Sequence, residues 1–129
     1  MPVVRRHMSR DLLSAQPGER ITDVARRMVE RDLGAVLVLD GGRLVGIMTE
    51  RDIMRAVARG LHGDAVVGDY MSRDPETIEP DDSTQQAAVL MIHGGFRHLP
   101  VVEGDTVAGM LSIRDLMRVG LEDSAPRGV

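Results

Sequence analysis

An internal repeat constrains the fold of this chain more than any other feature of its sequence. The tetrapeptide Met-Ser-Arg-Asp at residues 8–11 recurs at residues 71–74, an offset of 63 residues. At that offset, residues 3–57 align with residues 66–120 without a gap, and more than a quarter of the 55 aligned positions are identical. Composition alone would give about three or four identities. The chain is therefore predicted to be one small structural unit duplicated in tandem.

Each copy predicts the same order of elements, strand–helix–strand–strand–helix. In the first copy an extended segment at residues 12–15 precedes a helix at 21–31, whose apolar residues recur at helical spacing. A buried strand at 35–39 turns through Asp-Gly-Gly into a hairpin partner at 44–48, and a helix follows at 50–59. The second copy repeats this order, with an extended segment at 75–78, strands at 98–102 and 107–111, and a final helix at 113–120. Its first helix is opened by Ser83-Thr84-Gln85-Gln86, which resembles a capping box.

The duplication sets the predicted fold class and domain organisation. We expect a mixed α/β (α+β) fold in which residues 1–62 form the first repeat and residues 63–123 the second. Residues 124–129 are polar and contain proline and glycine, so they are predicted to be a frayed C-terminal tail.

Composition excludes several classes of function. The net charge of −4 disfavours general binding to nucleic acid, and two aromatic residues are too few for stacking on single strands. The absence of cysteine rules out disulfides and thiolate metal sites. No apolar run is long enough to span a membrane, and the first residues lack the apolar stretch of a signal peptide. We expect a cytoplasmic protein with no membrane partner.

The strand-to-helix junctions are the most informative candidate sites. Thr49 and Ser112 each end a predicted strand, and Asp52 and Asp115 each follow three residues later at the start of a helix. A hydroxyl residue followed at this spacing by an acid is typical of a capping box, in which the two side chains satisfy backbone groups of the helix. Structural capping is therefore one interpretation of both junctions.

Ligand binding is the other interpretation of the same junctions. A helix start presents unpaired N–H groups to phosphate, and the hydroxyls of Thr49 and Ser112 can bond phosphate oxygens. Arg51 and Arg114 would add positive charge beside them. A carboxylate has several lone pairs, so an aspartate here can accept from two ribose hydroxyls while also capping the helix. Duplication alone would preserve either role, and the spacing does not decide between them.

The chain resembles a tandem pair of cystathionine-β-synthase-type (CBS) domains, also called a Bateman module. The resemblance spans about residues 3–120 and depends on the Met-Ser-Arg-Asp segment at 71–74 and on Phe-Arg-His-Leu-Pro-Val-Val at 96–102. It also depends on the two G-x-x-[ST]-x-x-D segments, at 46–52 and 109–115. The resemblance implies two β-α-β-β-α repeats packed about a pseudo-two-fold axis.

By the same resemblance, an adenosine-containing ligand such as AMP, ADP or ATP would bind in the cleft between the repeats. Asp52 and Asp115 would then hold ribose, while Thr49, Arg51, Ser112 and Arg114 would face phosphate. The adenine would lie on residues of the predicted strands: Ser14, Ala15, Ala35 and Val36 in one site, and Thr77, Ile78, His98, Leu99 and Pro100 in the other.

The first copy departs from the family pattern at residues 34–37, which lack a proline. It has leucine at position 37 where the second copy has Pro100. Proline removes a backbone donor, which would open a strand edge to a base, or it simply marks an edge strand. The second site therefore fits the family better.

Three classes of function follow from these observations. The leading hypothesis is a non-catalytic regulatory sensor that needs no cofactor, takes an adenine nucleotide as regulatory ligand and signals to an unidentified effector protein. The resemblance also implies a homodimer. The alternative is a ligand-free protein–protein interaction scaffold. An enzyme is disfavoured because no nucleophile–base pair or P-loop occurs in the sequence. Metal ligation by His93 and His98 would require further ligands, and the sequence offers no cysteine, so catalytic and metal residues are predicted to be none.

Overall fold

The chain forms two compact units that do not coincide with its two sequence copies. The structure, a computed structural model, describes residues 2–124, with the side chains of residues 2–122. Leu12–Pro75 form one unit, here called the central unit. The described parts of Met1–Asp11 and Glu76–Val129 form the other, here called the split unit. The N-terminal segment of the first copy thus folds with the second copy. The predicted bounds 1–62 and 63–123 describe the two sequence copies, and they remain predictions. The predicted tail comprises residues 124–129, of which 125–129 lie outside the described residues.

The central unit contains a four-stranded sheet and two helices. In chain order its elements are β1 (Ser14–Ala15), α1 (Ile21–Arg31), β2 (Ala35–Asp40), β3 (Arg43–Thr49), α2 (Glu50–Ala58) and β4 (Ser72–Arg73). The strands lie in the order β1-β2-β3-β4. Strand β1 runs parallel to β2, and the other two pairings are antiparallel. A 3-10 helix at Val67–Asp69 leads into β4.

The split unit repeats this layout. Its elements are α3 (Thr84–Gly94), β5 (His98–Glu103), β6 (Thr106–Ser112) and α4 (Ile113–Ser124), after a 3-10 helix at Val4–Arg6. The β5–β6 hairpin is extended on both sides by isolated bridges, because Ile78 pairs in parallel with Val101 and Ser9 pairs antiparallel with Met110. These bridges occupy the places that β1 and β4 occupy in the central unit.

The mixed α+β class is confirmed, and the predicted helices and hairpins are present. The extended segment predicted at 75–78 contributes only the isolated bridge at Ile78. Helix α1 has the predicted bounds, and both hairpins extend a residue or two further than expected. Ser83 caps α3 as its sequence suggested, since its side chain accepts a bond from the Gln86 N–H at 3.0 Å. Strand β4 was not predicted as a strand, because a two-residue strand carries no periodic pattern.

Each unit has its own hydrophobic core. In the central unit, Val36, Val38 and Met48 of the sheet pack with Val24 and Met28 of α1. In the split unit the core is formed by residues of the hairpin, of α3 and of the N-terminal segment: Val4, Ile78, Ala87, Met91, Leu99, Val101 and Leu111. Each fully buried side chain of this kind contributes about 1.5–3 kcal/mol through the hydrophobic effect. The cores hold the strand-to-helix junctions in place.

A glycine in each unit allows the Met-Ser segment to lie against the sheet. A Cβ built on Gly46 would stand 2.6 Å from Met71 Sδ and 2.8 Å from the backbone oxygen of Ser72. A Cβ on Gly109 would stand 2.7 Å from Met8 Sδ and 2.8 Å from the Ser9 oxygen. These distances are shorter than real Cβ contacts, so only glycine fits. The repeated Met-Ser segments and the repeated glycines are therefore two sides of one contact.

Candidate functional site

The first candidate site lies in the central unit, where β3 ends and α2 begins. Thr49 is the N-cap of α2, and its side chain forms a reciprocal capping box with Asp52. The Thr49 backbone N–H donates to Asp52 Oδ2 at 2.9 Å, and the Asp52 N–H donates to Thr49 Oγ1 at 3.3 Å. The Thr49 hydroxyl also donates to Asp52 Oδ2 at 3.1 Å. The sequence prediction that these two residues meet at a helix start is thus realised as a cap.

The other oxygen of Asp52 contacts a different part of the central unit. The Ser72 hydroxyl, on β4, donates to Asp52 Oδ1 at 3.0 Å. The Arg55 guanidinium lies 3.9 Å from the same oxygen. The Asp52 side chain is 6% exposed. Both carboxylate oxygens are therefore engaged inside the protein.

The second candidate site is the corresponding junction in the split unit, where β6 meets α4. The Ser112 N–H donates to Asp115 Oδ2 at 2.8 Å, the Asp115 N–H donates to Ser112 Oγ at 3.1 Å, and the Ser112 hydroxyl donates to Asp115 Oδ2 at 3.0 Å. Arg118 contacts Asp115 Oδ1 at 3.4 Å from a side chain that is 65% exposed. The Asp115 carboxylate itself is 13% exposed. The two junctions thus share their cap. They differ in the partners of the aspartate oxygen that takes no part in the cap, Oδ1, here called the outer carboxylate oxygen.

The predicted phosphate-facing arginines lie in the first turn of each helix. Arg51 in α2 and Arg114 in α4 are both exposed, two residues after the hydroxyl that ends the preceding strand. Each arginine therefore shares a junction with a hydroxyl and a carboxylate. The arrangement combines a helix start, a hydroxyl and a cation, which suits an anionic group.

Strand pairing brings the predicted adenine residues next to these junctions. Ala35 lies directly opposite Thr49 across the β2–β3 pair, and His98 lies opposite Ser112 across β5–β6. The exposed Ser14 lies on β1, one strand further from Thr49. In the split unit Thr77 is half-buried and precedes the bridge at Ile78. The predicted residues of each pocket therefore share a sheet with their junction.

Several predicted adenine residues place their side chains in the cores. Ala15 and Val36 belong to the core of the central unit, and Ile78 and Leu99 to that of the split unit. A contact between a base and these residues would have to be made by backbone atoms. Their role in binding a base remains a prediction, and burial of their side chains limits that role to the backbone.

The proline that distinguishes the copies changes the hydrogen bonding of its strand. In the central unit the Leu37 N–H donates to the carbonyl oxygen of Leu13 at 2.9 Å. Pro100 occupies the position equivalent to Leu37, and a proline has no N–H to donate. Its carbonyl still accepts from the Ile78 N–H at 3.0 Å. The parallel pairing next to β5 is therefore kept in the split unit, but with one hydrogen bond fewer. The missing bond is the one that an N–H at position 100 would donate to the carbonyl of Glu76, the residue equivalent to Leu13.

The described part of the chain also bears on metal binding and on membrane spanning. Histidine, aspartate and glutamate side chains do not gather there in groups of three or more that could hold a metal ion. Among the helices within residues 2–124, none combines the length and apolar character needed to cross a bilayer.

Sequence reasoning missed Ser72 as a contributor to a site. The repeated Met-Ser-Arg-Asp segment was used to define the duplication, but its serine reaches a candidate carboxylate in only one unit. The signal that could have found it is the pairing of that segment with the glycine strand, since both are repeated at the same offset.

The repeated fold and the repeated strand-to-helix junctions are those of a protein with two CBS domains. The family model described as CBS domain matches residues 4–59 and 67–122, so the chain belongs to the CBS domain family. This confirms the resemblance drawn from the sequence.

Named relatives extend the comparison. The CBS domain-containing protein YhcV of Bacillus subtilis is 31% identical over 117 residues, which cover 90% of this chain and 84% of YhcV. For two further curated relatives, the match spans 66% and 58% of their own length. A putative signal-transduction protein with CBS domains from Burkholderia ambifaria is 31% identical with a TM-score of 0.85, covering 93% of this chain and 90% of that one. CBSX2, solved in complex with AMP, is 25% identical with a TM-score of 0.81, covering 96% and 99%.

Proposed function

We propose that this chain is a non-catalytic regulatory module that binds an adenosine-containing ligand at its strand-to-helix junctions and passes the signal to a partner protein. The observation that carries the proposal is the same geometry in both units: a hydroxyl and a carboxylate at a helix start, beside an arginine. Ribose would donate to Asp52 or Asp115, and phosphate would meet Thr49 or Ser112. The AMP complex of CBSX2, a structural neighbour, supports this ligand class.

A ligand panel tests the proposal. Thermal unfolding would be followed with AMP, ADP, ATP and S-adenosylmethionine, and with GMP for comparison. A ligand present at about one hundred times its Kd stabilises the folded state by about 2.7 kcal/mol, which raises Tm by several degrees. The proposal requires that at least one adenosine ligand gives this shift.

A matched pair of variants separates binding from helix capping. Asp115→Ala removes both the cap of α4 and the proposed ribose acceptor. Ser83→Ala removes the cap of α3 in the same unit, away from the junction. Both variants should lower Tm in the absence of ligand, but only Asp115→Ala should reduce the ligand-induced shift. Equal ligand shifts in the two variants would refute a binding role for Asp115.

A ligand-free scaffold is the second candidate function, and the full engagement of Asp52 favours it. Both oxygens of that carboxylate are bonded within the protein. If no adenosine ligand shifts Tm, the junctions are caps only, and the chain acts through protein contacts. Nucleotide hydrolysis that is lost in Asp115→Ala would instead support an enzyme.

We also propose that the chain forms a homodimer through exposed apolar positions on its helices. Equivalent positions of the two copies are exposed in both units: Val29 and Ile92 are 81% and 74% exposed, and Met54 and Met117 are 65% and 62% exposed. In the split unit α3 and α4 pack against each other, and Val89 and Leu121 are exposed there too. The occupant is proposed to be a second copy, because each copy presents the same apolar positions.

Light scattering coupled to size exclusion tests the dimer. Ile92→Glu should yield a monomer, whereas Gln85→Glu places the same charge on an exposed position of the same helix and should not. A monomeric wild-type chain at micromolar concentration, or a dimer unaffected by Ile92→Glu, would refute the assignment.

A further inference from the structure

The outer carboxylate oxygens of the two duplicated junctions have different hydrogen-bond partners. In the central unit Ser72 Oγ donates to Asp52 Oδ1 at 3.0 Å. In the split unit the equivalent oxygen of Asp115 has no serine partner among the described residues; Arg118 contacts it at 3.4 Å, as Arg55 contacts Asp52 Oδ1 at 3.9 Å. Ser9 occupies the position equivalent to Ser72, but its hydroxyl accepts a bond from the Asp11 N–H at 3.2 Å.

The path of the chain after each serine also differs between the two units. In the central unit the Asp74 N–H continues the sheet and donates to the Val45 oxygen at 3.3 Å. The Ser72 hydroxyl is therefore not taken by that N–H. In the split unit the Asp11 N–H turns back to Ser9 Oγ instead. The backbone N–H two residues after each serine thus has a different partner in each unit.

A second difference lies on the strand edge beside each junction. The Leu13 carbonyl of the central unit is occupied by the Leu37 N–H at 2.9 Å. The equivalent carbonyl of the split unit belongs to Glu76, and Pro100 has no N–H to offer it. A backbone carbonyl acceptor suits the exocyclic amino group of adenine. This difference is independent of the serines, because it lies on the opposite side of the sheet from Ser9.

We infer that the two sites are unequal: the junction of Ser112 and Asp115 is the one that takes the ligand, and Ser72 acts as an internal substitute for a ribose hydroxyl at Asp52. This inference rests on the proposed function and assigns its ligand to one of the two junctions. The ligand class is a ribonucleotide with both ribose hydroxyls and a base carrying an exocyclic amino group. Ser72 is thereby the residue that determines how many ligands the chain binds.

Isothermal titration of the full chain with AMP tests the assignment. The wild-type chain should bind one AMP, and Asp115→Asn should weaken that binding by about tenfold or more, as expected for loss of a charged hydrogen-bond acceptor. Ser72→Ala should raise the stoichiometry from one to two, because it exposes Asp52 Oδ1. Ser9→Ala is the matched control in the split unit and should keep a stoichiometry of one. The double variant Ser72→Ala, Asp52→Asn should lose the gained site.

Ligand analogues test the chemistry without changing the protein. 2′-Deoxy-AMP removes one of the two hydroxyls, and inosine monophosphate replaces the amino group with a carbonyl. Both should bind about tenfold more weakly than AMP or worse, since each loses a hydrogen bond and leaves a protein acceptor unpaired. Pro100→Leu should reduce the discrimination against inosine monophosphate, because Leu restores an N–H directed at the Glu76 carbonyl. Pro100→Leu leaves the Asp115 cap unchanged, so it still tests the second site if Asp115→Asn does not fold.

The outcomes distinguish this inference from the proposed function. Two equal AMP sites in the wild-type chain, or AMP binding undiminished in Asp115→Asn, would overturn the inequality while leaving adenosine binding established. An unchanged stoichiometry in Ser72→Ala would overturn the role of Ser72. If AMP, ADP and ATP all fail to bind, the proposed function itself fails, and the inference falls with it.

Discussion

Replacing Gly46 by alanine tests the close contact that joins β3 to the repeated Met-Ser segment. The added Cβ would stand 2.6 Å from Met71 Sδ and 2.8 Å from the Ser72 backbone oxygen. The methionine sulfur belongs to a flexible side chain and can move away. The Ser72 oxygen belongs to β4, which pairs with β3 at Gly46↔Arg73 and Ile47↔Ser72, so it can retreat only by opening that pairing.

The cost follows from the distance that the strand would have to move. Ordinary van der Waals contact for a Cβ begins at 3.4 Å, so β4 must retreat by about 0.6 Å. Overpacking of this kind costs about 1–3 kcal/mol. A domain of this size is stabilised by about 5–15 kcal/mol in total, so the loss is large enough to measure.

Urea denaturation followed by circular dichroism provides the measurement. The free energy of unfolding of Gly46→Ala should fall by about 1–3 kcal/mol, and Gly109→Ala should behave alike because its Cβ would meet Met8 and Ser9 at matching distances. Gly18→Ala is the control, since a Cβ there meets nothing within 4 Å. That variant should be neutral or stabilising by about 0.4–1 kcal/mol through the unfolded state. If Gly46→Ala is as stable as Gly18→Ala, the close packing of the two segments is refuted.

Three further tests of the fold use the same urea measurement. Leu99→Ala removes a fully buried side chain and should lower the free energy of unfolding by about 2–5 kcal/mol. Its control is Ile92→Ala, on a residue 74% exposed, which should change the monomer's stability by less than about 0.5 kcal/mol; equal costs would contradict the assignment of the core. Ser83→Ala should cost about 1 kcal/mol by removing the bond to the Gln86 N–H, and Ser83→Asp should restore most of it. Gly95→Ala should cost about 1 kcal/mol because the residue that ends α3 has a φ of +71°, and an unchanged midpoint would argue against this left-handed cap.

The regular elements could be predicted because each was encoded twice. The bounds of α1 follow from its apolar spacing, and the hairpins follow from apolar strands on either side of Asp-Gly-Gly and Glu-Gly-Asp turns. Where one copy was ambiguous, the other supplied the pattern. The capping boxes at Thr49 and Ser112 were likewise predicted in form, since their spacing is local.

The composition of the two compact units could not be predicted in the same way. The segment at residues 3–11 is similar to the segment at 66–74, so local sequence does not say which copy each will pack against. The structure pairs Val3 with Ser83 and Val66 with Arg20, so each segment joins the core of the other copy. Such long-range pairing depends on chain connectivity and tertiary packing, which periodicity does not report.

The two duplicated junctions are alike in their caps and differ in the other partners of their aspartates. The caps at Asp52 and Asp115 are the same, because each is formed by residues within one helical turn. The outer oxygens have different partners, Ser72 at Asp52 and Arg118 at Asp115. The two Met-Ser-Arg-Asp segments also end differently: Asp74, with a φ of +46°, precedes a proline, whereas Asp11 precedes a leucine. Each cap therefore supports the start of its own helix, and the bond from Ser72 to Asp52 is what distinguishes the two junctions.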